Sequence, residues 1–159
     1  MTAQTGRTVT KWTDFQVDDS GGTLRSIPVD SINGVGLVYD EVELTAFQDA
    51  LKGALPGHAD SVITITGPFD TTGVAAAGTL SGSHTVLSAI DGAVTPLTLN
   101  IEVGMRHAWE AGEPTFGITS SATSGYLCFD YQQQGEKYSA KFRMYPASTA
   151  PAWGTQAYT

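Results

Sequence analysis

Cysteine is almost absent from this 159-residue chain: Cys128 stands alone, so no intrachain disulfide can staple the fold. Cationic side chains are scarce as well, 8 Lys and Arg against 16 Asp and Glu, giving a net charge of −8. That balance disfavours simple binding to a phosphate backbone, because an acidic surface repels nucleic acid. Long apolar runs are missing too. Stretches such as Val74 to Ala77 fall far short of the roughly 20 residues that cross a bilayer, and Met1 to Thr10 lacks the apolar segment of a secretory signal. The expectation is a soluble chain from a reducing compartment, with no membrane partner.

Catalytic signatures are equally thin. His58, His84 and His107 lie far apart, with no His-x-x-x-His pair and no glutamate at metal-ligand spacing. No Gly-x-Ser-x-Gly elbow and no Walker loop occurs, and Gly34-Val35-Gly36 fails as a dinucleotide fingerprint because Tyr39 holds the place of the third glycine. Asp18-Asp19-Ser20-Gly21-Gly22 has the oxygens of a calcium loop but neither the alternating ligands nor the distal glutamate, and it reads as a hairpin turn. Cys128 has no cation beside it in sequence, so a structural thiol is favoured over a nucleophile. The chain therefore reads as no enzyme, with no metal and no cofactor.

What is present is material for a β fold. Hydrophobic residues make up 41% of the chain and charged ones 15%, enough for one core in a single domain of this length. Glycine is abundant at 18 residues, and no helical period persists beyond about three turns, so the class is mainly β. A first hairpin is expected from Trp12 to Asp18 and Leu24 to Val29, followed by an extended stretch from Ser31 to Thr45 that bends at Gly34 and Gly36. Thr45 and Gln48 fit a capping box, and Phe47, Leu51 and Leu55 recur at i, i+4, i+8. This pattern predicts a short helix over 46 to 53, stopped by Lys52-Gly53 and Pro56. A second helix is expected from Ser83, along the stripe Val86, Leu87 and Ile90, to Asp91-Gly92.

Three further strands follow from alternation. Ser61 to Phe69 alternates through Ile63 and Ile65; Pro96 to Gly104 sets Leu97, Leu99, Ile101 and Val103 against a wet face bearing Thr98, Asn100 and Glu102; a short strand lies near Pro114 to Thr119. Gly125 to Gln133 and Lys137 to Tyr145 form a second hairpin, with Leu127, Phe129 and Tyr131 facing the core alongside Tyr138, Ala140, Phe142 and Met144. The polar ends, an arm at Met1 to Thr10 and a segment at Ala147 to Thr159, need a holder, either another subunit or the chain's own domain. Asp40, Glu41 and Glu43 read as a solvated acidic face, since strand neighbours point to opposite sides and do not converge for catalysis.

Several of these segments, in order, carry a resemblance. Val17-Asp18-Asp19-Ser20-Gly21-Gly22-Thr23-Leu24, the run Leu37-Val38-Tyr39-Asp40-Glu41-Val42-Glu43-Leu44-Thr45-Ala46-Phe47 with Asp49, then Pro56-Gly57, Gly67-Pro68-Phe69-Asp70, His84-Thr85-Val86-Leu87-Ser88 and Tyr138-Ser139-Ala140-Lys141-Phe142 resemble the major tail tube proteins of long-tailed bacteriophages. The segment from Met105 to Ser124, with Arg106, His107, Trp109 and Glu110, fits no part of that pattern.

The resemblance implies a β-sandwich or barrel-like subunit with one or two short flanking helices, whose strands join those of five neighbours in a ring. Rings would stack into a hollow tube around a tape-measure protein, capped by tail terminator and distal tail proteins, with phage DNA passing through without specific binding. Such a subunit is a structural part of the virion tail, assembled in the host bacterial cytoplasm; related inner-tube folds serve contractile injection machines. It implies Thr45, Phe47, Asp49, Pro56 and Gly57 as assembly residues. An acid-lined lumen would resist sticking by DNA, which makes Asp40, Glu41, Glu43, Glu102 and Asp130 candidates for its wall. The rival reading is a capsid decoration or glycan-binding β-sandwich using Trp109, Trp153 and Tyr158 as platforms.

Overall fold

The computed structural model describes residues 13–76, 79–104 and 113–155. The arm at Met1 to Thr10, together with Arg106, His107, Trp109, Glu110 and Tyr158, lies outside the described residues. The fold is mainly β. Its strands are β1 (Thr13–Asp18), β2 (Leu24–Ile27), β3 (Ser31–Asn33), β4 (Val38–Glu43), β5 (Ala54–Asp60), β6 (Val62–Pro68), β7 (Leu99–Val103), β8 (Pro114–Ile118), β9 (Tyr126–Gln134), β10 (Lys137–Met144) and β11 (Ala152–Thr155). Among the described residues one helix, α1 (Ser83–Ile90), falls between β6 and β7, and no described helix is long and apolar enough to cross a membrane.

Two antiparallel sheets carry the core. A five-stranded sheet runs β11-β8-β7-β1-β2 and a four-stranded sheet runs β3-β6-β10-β9. Alternation explains the layering: Phe15 and Val17, Leu99 and Ile101, and Phe116 line the inner face of the first sheet, while Ile63, Ile65, Tyr138, Ala140 and Phe142 line that of the second. Phe15 meets Phe142 with ring centroids 5.5 Å apart, joining the layers. The stripe on α1 behaves as its spacing predicts, with Val86, Leu87 and Ile90 buried. Its N-cap is Gly82, however; Ser83 instead donates to the Pro68 carbonyl at 2.8 Å and accepts the Asp70 N–H at 3.0 Å, tying the helix start to the end of β6.

The Asp-rich first turn is a hairpin turn. Asp19 Oδ1 accepts the N–H groups of Gly21 and Thr23 at 2.9 and 3.0 Å, and Oδ2 takes the Arg25 guanidinium at 2.9 Å. This carboxylate is thus committed to the turn rather than to an ion.

Three expectations need correction. No helix forms over 46 to 53; the segment is the loop of a hairpin made by β4 and β5. A helix of two turns has little stability without a face to bury, and Phe47, Leu51 and Leu55 have none, with Phe47 fully exposed. In β9 the core face is reversed: Tyr126 and Cys128 point inward, Leu127 is only half-buried and Phe129 is exposed. A bulge explains the swap, because Asp130 sits at φ 55 opposite a register shift between Ser139 and Lys141, and beyond it Tyr131 returns to pack against the core. Glu102 lies on the face opposite Leu99 and Ile101, as alternation requires, yet that face is not wet there: Glu102 is 3% exposed. Of the two holders expected for the segment after Ala147, the chain's own domain takes part of it: β11 pairs with β8, and Trp153 packs on Phe116 at 5.2 Å.

Candidate assembly surfaces

The β4–β5 hairpin is a two-stranded sheet of its own, separate from the two core layers. Every residue of β4 is exposed, and Val38, Tyr39, Val42, Leu44, Phe47, Leu51 and Leu55 all present apolar side chains to solvent. Two local devices set its departure from the four-stranded sheet. Gly34, at φ 88, lies so close to Val62 that an added Cβ would fall 2.0 Å from the Val62 carbonyl oxygen, so only glycine fits the bend after β3. At the base of β5, Asp60 pairs with Arg143 of β10 at 3.3 Å, both half-exposed.

The proposed assembly residues gather on this hairpin. Thr45, Phe47 and Asp49 occupy its loop, where Asp49 Oδ2 accepts the Ala46 N–H at 2.8 Å. Pro56 and Gly57 lie in β5 rather than beyond a helix. Pro56 stands opposite Glu41, and Gly57 lies against the bulge in β4, where a Cβ would meet Val42 at 2.9 Å and the Asp40 carbonyl oxygen at 3.3 Å. Proline is tolerated in such a strand because it has a free edge.

The acidic candidates do not form one surface. Asp40, Glu41 and Glu43 stand together on the exposed β4, and Asp130 is exposed at the β9 bulge. Glu102 is apart from all of them, inside a cluster with Asp14 and Glu113 that sequence reasoning missed. Burial pushes the Glu102 carboxyl up to about 7, helped by the hydrogen bond to Glu113 and by the charges of Asp14 and Glu113. Burial likewise raises Asp14 to about 6, against the lowering influence of its bonds from Ser26 and Gln16. No sequence pattern marks this cluster, because its members come from three separate segments.

Among the described residues the core sheets end at β2 and β11 on one layer and at β3 and β9 on the other. The β9 margin is partly occupied by the end of α1. Gly92 N–H donates to the Cys128 carbonyl at 3.1 Å, and Tyr131 N–H donates to Asp91 Oδ1 at 3.3 Å. Cys128 itself is 1% exposed, and burial, followed by the charges of Asp91 and Asp130, pushes its thiol up to about 12. A thiol in that state is not a nucleophile near neutral pH. His84 bonds the Tyr131 hydroxyl through Nδ1 at 3.0 Å and packs its ring, tilted by 44°, against Phe69 at a centroid distance of 4.8 Å, an aromatic packing role.

No protein-family model matches the chain, and no curated protein matches it. Among solved structures, the chain is similar to one chain of an extracellular contractile injection system, the PVC sheath-tube complex in its extended state. The two superpose with a TM-score of 0.55 over 94% of this chain and 92% of the other, at 12% identity. The likeness is therefore one of fold: this β-rich architecture occurs in a component of a sheath-tube assembly.

Proposed function

We propose that this chain is a structural subunit that self-assembles into hexameric rings stacked as a hollow tail tube for genome delivery. The observation that carries the reading is the β4–β5 hairpin, whose apolar side chains find no cover in the chain's own core sheets. An isolated two-stranded hairpin is marginal in water, and a solitary chain that exposes this much apolar surface invites association. A neighbouring copy supplies cover for it, and closing the ring also pairs the margin of β3 and the part of the β9 margin that the end of α1 leaves free. The fold shared with a sheath-tube component supports the same reading and fits the inner tube of a contractile machine as well as a long-tailed virion.

In this reading Thr45, Phe47, Asp49, Pro56 and Gly57 make contacts within and between rings, and the whole chain acts as one tail-tube domain. Asp40, Glu41, Glu43 and Asp130 remain available to face the lumen, where they would keep DNA moving past a tape-measure protein, with a tail terminator and distal tail proteins at the ends. Glu102 is withdrawn from that wall because its side chain is buried within the subunit. The assembled particle would be the virion tail, built in the bacterial cytoplasm. Negative-stain electron microscopy of the purified protein at micromolar concentration tests the reading: rings with six-fold symmetry or tubes support it, and a persistent monomer overturns it.

A further inference from the structure

The two ends of the β4–β5 hairpin are both apolar and carry opposite charge. At its root a hollow of about 490 Å³ opens between β4 and β11, lined chiefly by Leu37, Tyr39, Phe116, Pro151 and Trp153. That volume falls in the range of binding clefts, about 300 to 1,000 Å³. None of these side chains carries a charge, and the rings of Tyr39 and Trp153 are each just over half exposed, broad apolar faces without cover. At the tip, the loop from 44 to 53 presents Phe47 and Leu51, both exposed.

The charges divide in the same way. Leu37 also lines an adjoining hollow, whose wall includes Asp40. Lys52 stands in the loop beside Leu51. Arg25, Lys137 and Arg143 are paired with Asp19, Asp30 and Asp60, so among the described residues Lys52 and Lys141 are the cations without an ion pair, and Asp40 has none either. The hairpin cannot satisfy itself. Its ladder runs, through one bulge, from Tyr39 opposite Ala59 to Glu43 opposite Ala54. Four residues at about 3.3 Å each set Glu43 about 13 Å from Tyr39, and Phe47 lies further out.

Building on the self-assembly read above, we propose that the hollow at the root of the hairpin receives the loop of a second copy, with Phe47 and Leu51 against Tyr39 and Trp153 and with Lys52 meeting Asp40. Loop and hollow occupy different places on one chain, so every copy offers one of each. Such a contact is head-to-tail: it passes from copy to copy and ends only where the rotation closes a ring. Two loops meeting face to face would stop at a dimer.

Photo-cross-linking of the full chain tests this, with p-benzoylphenylalanine in place of Phe47 and a mixture of unlabelled and isotope-labelled protein to tell links between copies from links within one. Irradiated particles are expected to join position 47 of one copy to segment 37–40 or 150–153 of another. Particles that link elsewhere, within one copy or not at all overturn the hollow as acceptor and leave self-assembly standing. A chain that stays a monomer under the electron microscope overturns both. Charge reversal gives an independent reading. Lys52→Glu is expected to raise the concentration for half-assembly by about fivefold or more, because it sets like charges together, and adding Asp40→Lys should recover most of that loss. A Lys52→Glu chain that assembles like the parent, or a double variant no better than the single one, overturns the contact between Lys52 and Asp40.

Discussion

Thr45 and Gly53 hold the two ends of the β4–β5 loop together, the Gly53 N–H donating to Thr45 Oγ1 at 3.0 Å and the Thr45 hydroxyl reaching the Gly53 carbonyl at 3.4 Å. Leu44 N–H also donates to the Gly53 carbonyl at 2.9 Å, so the loop carrying Phe47 starts and ends at a fixed point. The threonine that fits a helix cap in sequence is here the clamp of a hairpin.

Phe47→Asp is expected to leave the melting temperature of the dispersed subunit unchanged within about 2 °C, since a solvent-exposed substitution rarely costs more than about half a kcal/mol. Assembly should suffer heavily, because a charge cannot enter an apolar contact without partners. Sedimentation velocity of the two proteins side by side separates these effects. Unchanged large particles in the variant would remove Phe47 from the contact.

Tyr126→Phe removes the hydroxyl that meets Ser61 Oγ at 2.7 Å in the core, leaving a buried Ser61 without this partner. The expected loss is about 1 to 3 kcal/mol in urea denaturation. Ser61→Ala in the same background should recover part of it, since removing both polar groups avoids an unpaired one.

Gly34→Ala should destabilise by about 2 kcal/mol or more, or give insoluble protein, because the positive φ and the nearby Val62 carbonyl leave no room for a methyl group. Gly53→Ala is the control: nothing lies within 4 Å of an added Cβ there, and its φ is not in the left-handed region. Denaturant midpoints of the two variants compare a steric fault at the root of the hairpin with a tolerated change at its loop.

Cys128 should resist thiol reagents in the folded chain, with labelling at pH 8 at least about a hundredfold slower than in urea, given its burial and raised pKa. Rapid native labelling would place β9 in frequent local opening.

Glu41→Lys combined with Glu43→Lys replaces two negative charges of β4 with positive ones. Assembled particles of the double variant are expected to retain DNA in a filter assay at low salt and to release it steeply as salt rises, the signature of phosphate contacts. Particles that ignore DNA as the parent does would take β4 off the lumen wall.

The strands that were legible in the sequence are those whose alternation is decided by burial on a packed layer. Ile63 and Ile65 in β6, and Leu99 and Ile101 in β7, sit where their period of two puts them. The stripe of α1 was equally readable, because Val86, Leu87 and Ile90 do find a core. Phe47, Leu51 and Leu55 carry the same local signal, but spacing says nothing about whether a surface waits opposite. The reversal in β9 was hidden for a related reason. One residue, Asp130, exchanges the faces on either side of it, and a bulge leaves no periodic trace. The burial of Glu102 depends on residues distant in sequence, which no strand pattern records.

Because the β4–β5 hairpin makes its ladder within itself, changes in the length or composition of the loop from 44 to 53 are insulated from the sandwich. Variation can therefore explore new ways of meeting a neighbour while the interior stays as it is. The architecture separates what must be kept from what is free to diverge.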